Sequence, residues 1–210
     1  ELIKPERNFP MKFNPQSQLF KAITEISQFI ILNFCYLLCC LPIITIGVAT
    51  SSLFEVCLHY ADDERGYLIK DFFMALKNNL KKGTAAFLLF LAPIFLLAYS
   101  GIFWISHHAW LTTLIGILVL FLSLYLVISM LYSFALIGRF KTNLLQTIKN
   151  ALLLPATEPL RSFFLLLLPI TFTCLVLLFP PLKFTLVLFG FSFCAYCSSF
   201  LFLTIFKRHA

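Results

Sequence analysis

Leu37-Leu38-Cys39-Cys40-Leu41-Pro42-Ile43-Ile44-Thr45-Ile46-Gly47 lies at the centre of a stretch, from Glu25 to Glu55, that carries no charge between its ends. The apolar region around it, Ala22 to Ala61, is 40 residues long. As one helix it would measure about 60 Å, twice the ~30 Å of a hydrocarbon core. Pro42 cannot continue a helix and Gly47 tolerates a break, so the region is expected to fold as a hairpin of two helices, 19–41 and 47–61.

The rest of the chain supports a bilayer as its solvent. Of its 210 residues 60% are apolar, 12% are charged and 26 are Phe, more than the core of a water-soluble domain this size can bury. Between Lys82 and Arg139 lie 56 residues without a charge, enough for two spans of about 20 residues. The turn between them is placed at Ser106-His107-His108, giving helices near 84–106 and 109–137. Uncharged segments 162–182 and 184–206 supply two more, separated by Pro180-Pro181-Leu182-Lys183. With the hairpin, fifteen of the sixteen Lys and Arg fall on one side, and Lys183 stands alone on the other. A single crossing within 19–61 would divide them eleven to five. The positive-inside rule therefore favours six helices with both termini cytoplasmic. The fold expected is an all-α, polytopic transmembrane helix bundle. It comprises a cytoplasmic segment 1–18, one membrane domain 19–206 and a cytoplasmic tail 207–210, with no cleavable signal peptide. The net charge of +7 then reports orientation and gives no reason to expect a nucleic-acid partner.

Shifting the chain by 76 residues aligns Asp71-Phe72-Phe73-Met74-Ala75-Leu76 with Thr147-Ile148-Lys149-Asn150-Ala151-Leu152, and brings Pro93 onto Pro169. This suggests a parallel repeat of 47–106 and 123–182, each unit a descending helix, a basic connection and a Pro-containing ascending helix. Both connections read as amphipathic helices lying in the membrane interface. In the first, Ile69, Phe72, Phe73, Leu76 and Leu80 oppose Lys70, Lys77 and Lys81; in the second, Phe140, Leu144, Ile148 and Leu152 oppose Lys141 and Lys149. Their Lys side chains either meet anionic headgroups of the membrane lipids or form a docking face for a partner. Phe72, Phe73, Lys77, Phe140 and Lys149 are the partner-contact candidates.

Several segments resemble the YesL family of bacterial integral membrane proteins: Phe13-Asn14-Pro15; Leu32-Asn33; Cys39-Cys40-Leu41-Pro42-Ile43-Ile44-Thr45-Ile46-Gly47; Asp63-Glu64-Arg65-Gly66-Tyr67; Phe72 to Asn79; Arg139-Phe140-Lys141; and Lys149-Asn150-Ala151-Leu152. The Leu-Pro-x-x-Thr-Ile-Gly turn is the most specific of them. The family is classed as a domain of unknown function whose members commonly sit beside sugar ABC transporters in Gram-positive bacteria. The resemblance therefore implies a multi-pass protein of the bacterial cytoplasmic membrane, a non-catalytic accessory subunit of a carbohydrate ABC importer, with permease subunits or their cytoplasmic ATPase as partners. It also makes Met11 a plausible first residue and 1–10 an upstream extension. A stand-alone small transporter or channel, and a membrane-anchored regulator of sugar uptake, are the other readings.

Where that family usually carries an apolar or aromatic residue, this chain has Glu55, with His59 one turn later. Counted back from Asp62, Glu55 is expected about 10 Å inside the membrane, where a carboxylate costs at least ~2–3 kcal/mol unless paired or protonated. It is either a proton or substrate site, or a carboxylate satisfied by His59 or a neighbouring Lys. Asn33, Thr45, Thr50, Ser51 and Ser52 form the densest uncharged polar group. They either cap the second helix and rescue backbone groups freed at Pro42, or line a cavity at the broken helix as in transporters. Cysteine pairs such as Cys35/Cys39 and Cys194/Cys197 lack the further ligands of a metal site and read as packing residues. His107-His108 reads as a solvated turn. No Walker motif, activated nucleophile, zinc-protease helix or dinucleotide turn is present, so neither an enzyme nor a cofactor or metal is expected.

Overall fold

The computed structural model describes residues 18–62, 66–107, 109–179 and 182–209. The N-terminal segment with its Phe13-Asn14-Pro15 motif, the Asp63-Glu64-Arg65 part of the first connection, His108 and Pro180-Pro181 lie outside the described residues. The remainder is all helical: α1 (Gln18–Cys40), a 3-10 turn (Ile43–Thr45), α2 (Ile46–Ala61), α3 (Leu68–Ile105), α4 (Trp110–Arg139), α5 (Leu144–Thr157), α6 (Pro159–Leu178), α7 (Leu182–Thr185), a π-helical turn (Leu186–Gly190) and α8 (Phe191–His209). Six segments are long and apolar enough to cross a membrane. The break in the first apolar region falls at Leu41-Pro42, as its sequence indicates.

α2 is the central helix, packed by α1, α3, α4 and α8, with Val48, Ala49, Cys57 and Leu58 fully buried. Its contacts depend on missing side chains. A Cβ on Gly47 would lie 2.4 Å from Phe87 Cβ, and one on Gly83 would lie 2.9 Å from Val48 Cα. One on Gly138 would lie 2.8 Å from the Glu55 backbone nitrogen. Backbones approach this closely only through small residues, the usual solution where lipid offers no hydrophobic drive between helices. Gly101 and Gly116 do the same between α3 and α4 at their far ends. Past them Trp104 and Trp110 flank the turn, as aromatic residues do at a membrane interface.

The α1–α2 hairpin is shorter than the α3–α4 hairpin. Gly47 faces Phe87, and α3 continues 18 residues beyond Phe87 to Ile105, about 27 Å at 1.5 Å per residue. The tip of the shorter hairpin is apolar and exposed, with Leu41 at 77%, Ile43 at 71% and Ile44 at 62%. Such a tip suits hydrocarbon, unlike the polar Ser106-His107 turn.

The first basic amphipathic stretch is not a separate interfacial helix: it is the first four turns of α3, continuous with the membrane helix. Gly83, the only breaker at the junction, is occupied by its contact with α2. In the second unit the corresponding helix does stop. Glu158, with φ −129° and ψ 65°, precedes Pro159, and a residue before proline is pushed out of the α region. α5 and α6 are consequently separate.

Ion pairs tie the basic ends together. Asp62, which ends α2, accepts from Arg139 of α4 at 2.5 Å and from Lys207 of α8 at 2.8 Å; Glu158 pairs with Arg208 at 3.0 Å and with Arg161 at 3.5 Å. Lys207, and then Arg139, hold the Asp62 carboxyl below its ordinary value of 3.8. A depressed carboxylate stabilises the fold above its unfolded pKa, and that contribution is lost as pH falls through the lower folded value. The thermal-midpoint difference between the parent and Asp62→Asn in detergent should therefore be constant from pH 7 to about 5 and close below about 4. A gap at pH 3 as wide as that at pH 7 would contradict this.

Candidate functional site

Glu55 packs beside the basic segment of α3. Asn79 Nδ2 donates to its Oε2 at 2.6 Å, and Asn79 lies between Lys77 and Lys81, in the basic segment of α3. The carboxylate is thus level with those Lys residues. Its hydrogen-bond partner is an amide, and His59 and Lys141 lie close enough to act on its charge. Asn79 was legible in one respect: Phe72, Ala75, Asn79 and Gly83 form the buried stripe of α3, and Asn79 is its polar member.

Beside Glu55 a cleft of about 260 Å³ opens between α2 and α3. Val56, His59 and Tyr60 form one wall and Asp71, Met74, Ala75 and Asn78 the other, with Gly66 and Leu68 closing the end. Gly66 lies against the Asp71 carboxylate, and a Cβ there would fall 2.3 Å from its Oδ2, so a larger residue would turn that side chain away. Two carboxylates, an imidazole and an amide thus share one recess at the basic end. They can accept hydrogen bonds from a cationic or hydroxylated group. Among the described residues no group of three or more His, Cys, Asp or Glu could hold a metal ion.

A second cleft, about 350 Å³, lies between the end of α4, α5 and α8. Five of its lining residues stand 76 positions after lining residues of the first: Leu136 after Tyr60, Thr142 after Gly66, Thr147 after Asp71, Asn150 after Met74 and Leu154 after Asn78. The offset that aligns the sequence with itself therefore also relates the two clefts. Their chemistry differs. The positions corresponding to Glu55, His59 and Asp71 are Leu131, Ala135 and Thr147, so only the first cleft is charged.

The remaining polar candidates serve the backbone. Thr45 Oγ1 donates to the carbonyls of Cys39 (2.6 Å) and Pro42 (2.7 Å). It satisfies the end of α1 and makes no side-chain cap to α2. Thr50 Oγ1 donates to Ile46 O, and Ser51 and Ser52 both donate to Val48 O. Asn33 is fully buried and holds the π-helical turn: its Nδ2 donates to Val187 O at 2.7 Å, and its Oδ1 accepts from the backbone N–H and hydroxyl of Ser192, each at 3.0 Å. These residues line neither of the two clefts at the basic end.

Of the partner-contact candidates, Phe73, Lys77 and Lys149 are exposed. Phe140 is half-buried in the second cleft, its ring 5.5 Å from that of Phe206. Phe72 is corrected from a surface to a core residue: it is fully buried on the α2 side of α3, one position round the helix from Phe73.

The fold and its clefts define a multi-pass, all-helical membrane protein whose polar recesses gather at its basic end. A family model described as a protein of unknown function, DUF624, matches residues 29–101, which span the second half of α1, α2 and most of α3 and so contain the Pro42 break and the charged cleft. No curated protein and no solved structure matches the chain.

Proposed function

We propose that the protein is a non-catalytic accessory subunit of a bacterial carbohydrate ABC importer, lying in the cytoplasmic membrane with its basic end in the cytoplasm. The observation that carries this reading is the placement of polar features. Both clefts, the Asp62 and Glu158 ion pairs and the exposed Phe73, Lys77 and Lys149 lie at one end. Farther along α2, its contacts with α3 are closed by Gly47 and Gly83 and the hydroxyls of the broken helix are spent on backbone carbonyls. That arrangement suits a surface that engages a partner better than a pathway that conducts a substrate. The resemblance to YesL-type proteins supplies the importer as the partner, and the asymmetry of Lys and Arg supplies the orientation.

Affinity purification from native membranes in a mild detergent tests it. Permease subunits of a carbohydrate importer should be retained with the tagged protein. A chain carrying Phe73→Asp and Lys77→Glu should retain roughly tenfold less, as expected for loss of an interface anchor. Recovery of only a monomer or homodimer would contradict the proposal.

A further inference from the structure

The second cleft, about 350 Å³, changes character across its width. Leu136 lies in the apolar span of α4, one turn before Arg139, and is buried, as is Phe206 of α8. Phe140, Leu153 and Leu154 continue this apolar lining, whereas Asn150 and Thr157 are exposed on α5 at the mouth. The hydroxyls are already engaged: Thr142 and Thr147 bond to each other at 2.9 Å, Thr147 donates to Asn143 O at 3.1 Å and Thr157 to Leu154 O at 2.9 Å. Among the described residues no acid lines the cleft. Cations surround it instead. Lys82 Nζ reaches from α3 to donate to Thr142 O at 2.9 Å, and an ammonium has three donors to give. Lys149, exposed, precedes Asn150 on α5, and Lys141, also exposed, stands between the lining residues Phe140 and Thr142.

We infer that this cleft binds one anionic phospholipid of the phosphatidylglycerol type. Its phosphate sits at the mouth, among Lys82, Lys149 and the Asn150 amide, and an acyl chain lies along Phe140, Phe206 and Leu154. Charge complementarity selects the headgroup. Of the described carboxylates on and beside α4, α5 and α8, Asp62 is met by Arg139 and Lys207, and Glu158 by Arg208 and Arg161. Glu55 is met by Asn79, with Lys141 acting on its charge. With Lys82 and Lys149, seven Lys and Arg thus stand against three carboxylates. Basic pockets between membrane helices take anionic headgroups for this reason. The interior selects the chain. A peptide segment there would need partners for its own N–H and C=O groups, which the engaged hydroxyls do not supply, whereas an acyl chain needs none. The volume falls within the range of small-molecule sites, about 300–1,000 Å³. The first cleft, with Glu55 and Asp71 in its lining, disfavours the same headgroup.

Native mass spectrometry of the purified full chain, with dioleoyl-phosphatidylglycerol and dioleoyl-phosphatidylcholine supplied in equal amounts, provides the test. Only chain and lipid are present, so the outcome does not depend on any importer. The parent should retain one phosphatidylglycerol in preference to phosphatidylcholine by about tenfold. Asn150→Asp places a negative charge at the mouth with little change of shape and should bring the ratio close to one. Asn78→Asp makes the same charge change at an exposed position of α3 outside this cleft and should leave the ratio unchanged, whereas a general attraction of lipid to the basic end would make the two substitutions equivalent. Circular dichroism on the same samples confirms that the helices persist. A phosphatidylglycerol analogue with a photoreactive group on its acyl chain serves as the second measurement, independent of any substitution. Its adducts should map to residues around Leu153, Leu154 and Phe206. Equal retention of the two lipids by the parent, equal effects of Asn150→Asp and Asn78→Asp, or adducts mapping only to other surfaces would each overturn the inference.

Discussion

Gly138→Leu is expected to destabilise the protein by about 3 kcal/mol or more, the upper end of the cost of overpacking a filled interior. A Cβ at this position would already lie 2.8 Å from the backbone nitrogen and 2.9 Å from the Cα of Glu55. Those are backbone atoms of the central helix, so no rotamer change can move them aside. To admit even a methyl group, α2 and α4 must separate. That displacement would stretch the Asn79–Glu55 hydrogen bond and loosen the Arg139–Asp62 pair beside it. Gly138→Ala should cost less, about 1–3 kcal/mol, and Ile117→Ala, on an exposed face of α4, should fall within ~0.5 kcal/mol of the parent. Unfolding in mixed micelles followed by circular dichroism would read the series. A Gly138→Leu protein as stable as the parent would refute the close packing of α2 on α4.

Asn33→Leu should cost about 2–4 kcal/mol. The π-helical turn leaves carbonyls and an N–H without their usual helical partners, in a setting where water cannot replace them. One amide side chain meets three of these needs: the carbonyl of Val187, the backbone N–H of Ser192 and, through the same Oδ1, the Ser192 hydroxyl. Each buried group left without a partner costs about 1–3 kcal/mol, although single hydrogen bonds within membranes often measure nearer ~0.6 kcal/mol. Leucine keeps the branched shape but is the larger side chain, so some overpacking adds to the lost hydrogen bonding at this fully buried site. The Ser192 hydroxyl still reaches Phe29 O, which sets the lower bound. The same unfolding measurement applies, and a change below ~0.5 kcal/mol would show that the turn does not depend on Asn33.

Much of the architecture was legible because membrane helices announce themselves by length and charge. The break at Pro42, the turn at Ser106-His107 and the six apolar segments all follow from where charge and proline fall. The depth of each segment was not legible. Counting Lys and Arg gives the same fifteen to one for a hairpin that crosses the bilayer twice and for one that turns inside it. That count could not show that Gly47 meets α3 opposite Phe87. The fusion of the basic segment to α3 turned on Gly83, which reads as a breaker in a sequence and acts as a contact point in the fold.

The candidate site was partly legible. Glu55 and His59 stood out, and they do line the charged cleft. Asp71 did not, because a carboxylate in the first turn of a helix is ordinary in sequence. Asn33, Thr45 and Thr50 drew attention as polar residues in an apolar region, but polarity alone cannot separate a cavity lining from the repair of broken helices. Thr45 and Asn33 bond to backbone groups at helix breaks, whereas Thr50 bonds back to Ile46 O within α2. Phe72 and Phe73 illustrate the finer limit: both fit an amphipathic pattern, and a difference of 100° around the helix sends one to the core and the other to the surface.

The most direct test of the accessory role uses that pair. A photo-crosslinking phenylalanine analogue is placed at position 73 or at position 72, and the protein is irradiated in native membranes. Position 73 should give an adduct with a permease subunit of a carbohydrate importer, whereas position 72 should crosslink only within the chain. If position 73 yields only lipid or self adducts while the permease is present in the same membrane, the basic end of this protein does not dock on an importer.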